Sequence, residues 1–327
     1  MNTKEGKYSN PFSATFNGIM ELFKKHESIG ELNEQDRLDG KKVLITGASS
    51  GLGFATSVEL AKRGAQVIMA CRSGIPEKGE EVKKLSGSDQ VDMLHVDLSD
   101  LDSIYRLVDE FKTKFRSCDI LICNAAVVPG KSRKTIQGLE EMFVVNYLSK
   151  FVLINSLIEK NAIQSKFNDY PRVIIVSSES HRNPKDYKWE EFGVYKDYSM
   201  GKTVELYGYY KLLLTTLFKE LKRRFGGEIY FYSLCPGPVN SNIAREAPKL
   251  FQPLMKFIFK MFFRSPEVAS EPVVYLATSP DLKAKKVEYL YLMTQKEIDE
   301  KAASSKNGQL LWEKSENLLK EIGVSAG

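Results

Sequence analysis

The sequence is poor in the residue types that build metal centres and disulfide frameworks. Its 327 residues include only 3 His and 4 Cys. The cysteines lie in or beside apolar runs and show none of the short Cys/His spacings of a zinc site; they are Cys71, Cys118, Cys123 and Cys235. We therefore expect no bound metal, and we expect buried, reduced thiols, which are typical of a cytoplasmic protein.

The chain also lacks a block of basic residues and a long apolar run. Its net charge of +5 comes from lysines and arginines that are scattered along the sequence, which argues against a nucleic-acid partner. No apolar run approaches the roughly 18 residues that a membrane span requires. These absences predict a soluble protein, or one that is at most peripheral to a membrane.

Residues 1–39 form an extension in front of the first predicted strand. One stretch of it has helical spacing, and its apolar face carries Phe12, Phe16, Ile19, Met20 and Phe23. The sequence leaves two interpretations open: this helix packs on the surface of its own protein, or it contacts a membrane or a partner. Residues 40–327 are predicted to form a single domain.

Within that domain, short apolar strands alternate with amphipathic helical stretches. Strands are predicted at residues 43–45, 66–72, 91–96, 119–123, 172–176, 229–234 and 289–293. No internal repeat or low-complexity segment interrupts the order. This alternation predicts an α/β fold, a Rossmann-type doubly wound parallel sheet of about seven strands with helices on both faces.

A glycine-rich turn follows the first strand and leads into the first helix. Gly47 permits the sharp turn, Gly51 lets a phosphate approach the backbone without meeting a Cβ, and Gly53 lets helix and strand pack closely. Because the N-terminus of a helix attracts anions, the turn is predicted to bind the pyrophosphate of a dinucleotide. The candidate contacts are Gly47, Ser49, Ser50, Gly51, Leu52 and Gly53.

Arg72 ends the second strand, where NAD-binding folds commonly carry an acidic residue for the ribose hydroxyls. A guanidinium suits a 2′-phosphate instead, so NADP (NADPH) is predicted as the cofactor. The next strand ends bring polar or small residues to the same edge of the sheet; they are Asp97, Leu98, Asn124, Ala125 and Ala126. The small residues would let a nucleotide lie close to the backbone.

Several motifs, taken in order, resemble the short-chain dehydrogenase/reductase family over roughly residues 40–295. They are Thr46-Gly47-x-x-x-Gly51-x-Gly53, Asp97-Leu98, Asn124-Ala-Ala126, Asn146, Ser178, Tyr207-x-x-x-Lys211 and Pro236-Gly237. Each motif is weak alone, and their common order makes the match specific. The stretch Val176-Ser-Ser-Glu-Ser-His181 is similar to the retinol dehydrogenase and WW-domain oxidoreductase branch, although no WW module is present.

The resemblance implies an NADP(H)-dependent oxidoreductase that moves a hydride between the nicotinamide and a carbonyl or alcohol. It makes Tyr207 the acid/base, Ser178 the hydrogen-bond donor to the substrate, and Asn146 the holder of a water that links Lys211 to solvent. The implied cofactor contacts include Tyr207 and Lys211 and, after the sixth strand, Pro236, Gly237, Val239 and Ser241. Homo-oligomers are common in this family.

The chain offers two pairs with the same spacing of tyrosine and lysine. A phenol with a pKa near 10 needs a cation nearby to work at neutral pH, and residues four apart share a helix face. Tyr207 and Lys211 fit, but so do Tyr198 and Lys202. Lys211 leads into the apolar stripe of a sustained helix and Lys202 leads into Gly208, so Tyr207 is predicted to be the catalytic residue.

The sequence departs from the branch at two places. It has Tyr147-Leu-Ser-Lys150 where the branch has His-Leu-Gly-His, and Tyr210 stands where a serine commonly precedes the catalytic lysine. We expect both changes to alter pocket shape or subunit contacts rather than chemistry. The aromatic segment 181–201 is expected to shape the substrate entrance.

A substrate-lid region is predicted near residues 240–265. Residues 249–264 are dense in Phe, Leu, Ile and Met, and their basic residues recur along one side of a helix: Lys249, Lys256, Lys260 and Arg264. The resemblance implies that this helix covers the substrate pocket, so a lipophilic substrate is predicted. Whether the lysines also rest on an anionic membrane stays open.

Two other functions stay open at this stage. The stretch Cys123-Asn-Ala-Ala-Val127 also suggests a protochlorophyllide reductase-like enzyme, which the absorbance of bound pigment would reveal. A catalytically silent, NADP-binding scaffold is the second alternative. The complete set of Asn, Ser, Tyr and Lys argues against the scaffold.

Overall fold

The computed structural model describes residues 28–165, 170–239, 264–282 and 285–324. Within these residues, the strands are β1 (Lys42–Thr46), β2 (Gln66–Cys71), β3 (Val91–His95), β4 (Ile120–Cys123), β5 (Arg172–Val176), β6 (Tyr230–Cys235), β7 (Tyr289–Tyr291) and β8 (Thr294–Gln295). They form one sheet in the order β3-β2-β1-β4-β5-β6-β7-β8. The order reverses between β1 and β4, which is where such sheets bind ligands.

Strands β1 to β7 are parallel, and β8 pairs antiparallel with β7. The central strands are buried along their whole length, as in β5 with Val173, Ile174 and Ile175, because helices cover both faces of the sheet. The prediction of a doubly wound parallel sheet is confirmed. Strand β8 was not predicted, since two residues carry no detectable alternation.

The helices are α1 (Gly51–Lys62), α2 (Glu77–Ser86), α3 (Leu101–Phe115), α4 (Glu141–Glu159), α5 (Met200–Phe225), α6 (Pro266–Thr278), α7 (Glu300–Ala303) and α8 (Ser305–Glu321). On one face of the sheet, α1, α2 and α6 enclose an apolar core. On the other face, α3, α4, α5 and α8 enclose a second and larger core. Each face therefore has its own hydrophobic layer.

Some helix boundaries differ from those that the pattern predicts. The apolar spacing of the sequence predicts helices that begin near residues 204 and 309, whereas α5 begins at Met200 and α8 at Ser305. The first turns of these helices are polar, so the apolar periodicity starts only after them. Pro272, a residue type that commonly kinks a helix or begins a new one, lies inside the single helix α6.

Helix α4 requires a correction to the sequence analysis. By length and composition, Glu141–Glu159 is apolar enough to cross a membrane, but 89% of its apolar window is buried inside the protein. It is therefore the central core helix of the larger layer. A π-helical turn over Val144–Leu148 interrupts it and carries Asn146.

Several predicted features lie outside the described residues. They are the helix in front of residue 28, the residue Ser241, and the basic amphipathic helix of residues 249–264 apart from Arg264. Contacts of these segments with a membrane remain predictions.

Candidate functional site

A cavity of about 340 Å³ opens at the carboxyl ends of the parallel strands. It is lined by most of the residues that the sequence singles out: Gly47, Ser49, Ser50, Gly51, Leu52, Gly53, Arg72, Asp97, Leu98, Asn124, Ala125, Ala126, Ser178, Tyr207, Lys211, Pro236, Gly237 and Val239. Asn146 is fully buried and lies outside this lining. The fold thus brings seven separated stretches of sequence to one site.

The glycine-rich turn presents open backbone amides to this cavity. Ser50, the N-cap of α1, makes no side-chain capping bond, and the first turn carries no acidic residue. Gly47 and Gly51 have φ values of +67° and +54°, which favour glycine. A Cβ on Gly53 would lie 2.4 Å from the Gly47 carbonyl oxygen. An uncapped helix N-terminus of this kind fits a phosphate group.

Arg72 and Asp97 face each other at the far end of the cavity. The closest guanidinium nitrogen of Arg72 lies 4.0 Å from Oδ2 of Asp97, and the Arg72 side chain is 55% exposed. The other carboxylate oxygen, Oδ1, accepts hydrogen bonds from the backbone and hydroxyl of Ser99 at 2.9 and 2.6 Å. Arg72 therefore keeps donors available for an anion.

The loop of residues 124–127 is fastened from two sides. Asn124 Nδ2 donates to the carbonyl oxygens of Thr46 and Gly47, each at 3.1 Å. The Asn146 amide accepts from the Val127 nitrogen and donates to the Val127 oxygen, both at 2.9 Å. Asn146 thus braces the cavity wall from beneath, a contact that its place in the sequence did not reveal.

Helix α5 places Tyr207 and Lys211 one turn apart at the cavity. Lys211 Nζ lies 5.6 Å from the centre of the Tyr207 ring and donates to the Val176 carbonyl at 2.9 Å. Ser178 follows β5 at the same edge of the sheet, and its hydroxyl contacts Ser180 Oγ at 3.0 Å. The three side chains that acid–base chemistry requires therefore converge on one cavity.

Burial controls the ionisation of this set. Loss of solvation lowers the pKa of Lys211 to about 8, while Cys235 opposes that shift. Burial raises the pKa of Tyr207, Cys235 raises it further, and a hydrogen bond from Ser178 lowers it. Tyr207 therefore holds its proton at neutral pH, and the lowering of its pKa that the spacing to Lys211 predicts is not found in this structure.

The second pair has different surroundings. Tyr198 precedes α5, is buried, and donates to Glu140 Oε1 at 2.8 Å. Lys202 is exposed, and neither residue lines the cavity.

The aromatic segment that we expected at the substrate entrance packs elsewhere. Phe192 contacts Phe143 of α4 with ring centres 5.3 Å apart, and Tyr187 stacks on Trp189 at 4.4 Å. The segment lines a second cavity of about 490 Å³ that shares no lining residue with the first. Its aromatic spacing reflects this packing against α4 and α5.

Comparisons with known proteins agree with this geometry. A family model of short chain dehydrogenases matches residues 41–196. Retinol dehydrogenase 13 of Homo sapiens is 30% identical over 328 residues, which cover 96% of this chain and 95% of the relative. The chain belongs to the short-chain dehydrogenase family. Its predicted likeness to the retinol dehydrogenase branch is confirmed.

Other relatives and solved structures support the assignment of this chain to the short-chain dehydrogenase family and its fold. Retinol dehydrogenase 11 of Homo sapiens is 33% identical over 265 residues, 80% of each chain. A solved but uncharacterised protein from Mycobacterium paratuberculosis is 26% identical, with a TM-score of 0.65 over 89% of this chain and 98% of its own. The Pseudomonas aeruginosa RhlG/NADP active-site complex, 22% identical with a TM-score of 0.61 over 80% and 98%, shares the fold.

This short-chain dehydrogenase is therefore an oxidoreductase of a family that uses a nicotinamide cofactor. Sequence reasoning did not predict Arg133 and Glu141, which line the cavity. It named Lys150 only as a departure from the branch and did not predict that its amine lies beneath the cavity wall. The available signal was a lysine four residues after Asn146, on the same face of an otherwise apolar helix.

Proposed function

We propose that the protein is an NADP(H)-dependent oxidoreductase that transfers a hydride between the nicotinamide and a lipophilic carbonyl or alcohol. One observation carries this proposal. Tyr207, Lys211 and Ser178 line the same cavity as the glycine-rich turn at the N-terminus of α1. A phosphate site and an acid–base set in one cavity are the two parts that such a reaction needs.

The residues of the cavity fit the cofactor. The open amides of Gly51 to Gly53 would hold its pyrophosphate, since helix N-termini bind anions. The exposed guanidinium of Arg72 would hold the 2′-phosphate that distinguishes NADP from NAD. When bound, the nicotinamide supplies or accepts the hydride.

The remaining chemistry belongs to the side chains of this chain. In the reducing direction, the hydroxyl of Tyr207 donates its proton to the substrate oxygen, and the hydroxyl of Ser178 donates a hydrogen bond to the same oxygen. The Lys211 ammonium stabilises the Tyr207 phenolate that forms. In the oxidising direction the same phenolate takes the proton from the alcohol.

The proposed substrate is lipophilic for two reasons. Apolar side chains form part of the cavity wall; they are Val127, Val128, Pro129, Val145 and Val239. The relatives at about 30% identity are named for retinol, an apolar alcohol. Apolar surface on the substrate would therefore be buried on binding.

A screen that follows NADPH oxidation tests the proposal. Long-chain and cyclic apolar aldehydes are compared with short polar ones, and the reverse reaction is followed with apolar alcohols and NADP. We expect turnover that is fastest with the apolar compounds and that disappears in Tyr207→Phe. Binding of NADPH without turnover on any of these compounds would instead indicate a silent scaffold.

A further inference from the structure

Lys150 lies on α4, one helical turn after Asn146, and only 2% of it is exposed. No carboxylate pairs with it among the residues that the structure describes. Burying an amine without a counter-ion is costly, so a lysine in the middle of a core helix calls for a function.

The amine nevertheless has two backbone oxygens as acceptors. Lys150 Nζ donates to the carbonyl of Ala125 at 2.7 Å and to the carbonyl of Val145 in the preceding turn of its own helix. Ala125 lines the cavity that the glycine-rich turn also lines. Lys150 therefore holds the loop of residues 124–127 at Ala125. Asn146 holds the same loop two residues further on, at Val127.

Two other titratable groups face this amine. They act on it electrostatically and are Lys211 of α5 and Cys123 at the end of β4. Burial, and secondarily the Lys211 ammonium, lower the pKa of Lys150 to about 7, while Cys123 opposes the shift. Burial raises the pKa of Cys123 to about 12, so that thiol is neutral at the working pH. The charge of Lys211 therefore disfavours protonation of Lys150 beneath the cavity.

We propose that Lys150 is a positioning residue for the cofactor: its buried amine fixes the loop of residues 124–127 through Ala125 and places a second cation beside Lys211 under the cavity. The inference rests on the proposed function, because it takes the cavity to be the NADP(H) site. An anionic cofactor favours the protonated amine, so affinity rises as the pH falls through the titration of Lys150.

Equilibrium binding of NADPH, followed by its fluorescence between pH 6.5 and 9, tests this role without any turnover. Lys150→Met removes the donor and the charge at similar volume. We expect the dissociation constant to rise about tenfold at pH 7, the scale of one hydrogen bond from a charged group. We also expect the change in affinity near pH 7 to disappear.

The melting temperature separates positioning from a structural role. Lys150→Met removes the cost of burying an amine that has no counter-ion, but it leaves the Ala125 oxygen without this donor. Because the two effects oppose each other, we expect the melting temperature to change little. Lys150→Gln keeps a donor without the charge. It should bind NADPH within about threefold of the wild type and still lack the change near pH 7.

Lys160→Met is the matched control. Lys160 follows the same helix but pairs with Asp109 at the surface, so its loss should change neither the affinity nor its pH dependence. Wild-type affinity and pH dependence in Lys150→Met would overturn the role of Lys150 and leave the proposed function intact. Absence of NADPH binding to the wild type would overturn both. If Lys150→Met does not fold, the pH dependence of Lys150→Gln decides.

Discussion

The two tyrosine–lysine pairs near α5 have the same spacing and opposite surroundings. Tyr207 faces the cavity with Ser178, and its partner Lys211 is buried against a backbone carbonyl. Tyr198 points its hydroxyl into the protein at Glu140, and Lys202 lies in solvent. A four-residue spacing places two side chains on one face only within a helix. Tyr207 and Lys211 meet this condition, whereas Tyr198 precedes α5.

The Tyr207→Phe substitution, for which we expect the largest effect, tests directly which of the two tyrosines is the acid. Tyr207→Phe removes the proton donor, and a positioned acid contributes about 10²–10⁴-fold to rate. We expect kcat to fall by that factor with NADPH affinity nearly unchanged, whereas Tyr198→Phe should keep most of the activity. Steady-state kinetics on one apolar aldehyde measure both variants.

The opposite pattern, an inactive Tyr198→Phe beside an active Tyr207→Phe, would show that the wrong pair was chosen. Affinity for NADPH serves as the control, because it separates a lost acid from a lost cofactor site.

The pH dependence of activity distinguishes the lysines of the two pairs. Burial lowers the pKa of Lys211 to about 8, so its ammonium is lost as the pH rises through that value, and with it the stabilisation of the Tyr207 phenolate. We expect kcat at saturating NADPH, which does not include the binding step assigned to Lys150, to decline as the pH rises through the titration of Lys211. Lys211→Met should lower kcat by about 10²-fold and flatten this limb, since its cation is missing at every pH.

Lys202→Met provides the control for the pH profile. This lysine is exposed and outside the cavity, so the variant should reproduce the wild-type limb. If the decline in activity at high pH is unchanged in Lys211→Met, the titrating group is not Lys211.

A substitution of Arg72 tests cofactor preference at the opposite end of the cavity. It lies half exposed beside Asp97, where its guanidinium can meet the 2′-phosphate of NADP(H). Arg72→Ala should narrow the preference for NADP(H) over NAD(H) by about 1.5–3 kcal/mol, the value of a hydrogen bond to a charged group. Dissociation constants of both cofactors measure it, and equal constants in the unmutated protein would refute the assignment.

The sequence predicts what depends on local pattern and order. Apolar strands such as Ile120–Cys123, each followed by a polar or small residue, are sufficient to place the sheet and the residues along its edge. The two-residue strand β8 and the π-turn at Asn146 have no such pattern. Strand β8 is the short return strand of a local hairpin, in which Thr294 pairs with Tyr291, while Asn146 contacts Val127, 19 positions earlier in the sequence.

The contacts of Lys150 show the same limit at the site. Its acceptor Ala125 lies 25 positions earlier in the sequence, so no local spacing indicates the bond. The prediction that the aromatic segment 181–201 shapes the substrate entrance failed for a related reason. Its side chains are apolar whether they line an entrance or pack on helices, and only the fold shows that Phe192 meets Phe143.

The smallest expected effect is that of Tyr198→Phe on the stability of the protein. Glu140 is only 3% exposed, and burial raises its pKa although the backbone of Met142 and Phe143 and the hydroxyls of Tyr198 and Tyr210 oppose the shift. Tyr198→Phe removes one of these donors from a buried carboxylate. We expect the free energy of unfolding at pH 7.5 to fall by about 1–3 kcal/mol.

The sign of the pH dependence follows from that carboxyl. A folded-state pKa above the unfolded value means that Glu140 costs stability at neutral pH and that the cost diminishes as the pH falls through the folded value. Losing the Tyr198 donor raises this pKa further. The deficit of Tyr198→Phe should therefore be smaller at pH 5.5 than at pH 7.5 in urea unfolding. Tyr195→Phe, which loses an exposed bond to Asp197, should show little deficit at either pH, and equal deficits for the two variants would mean that Glu140 does not depend on Tyr198.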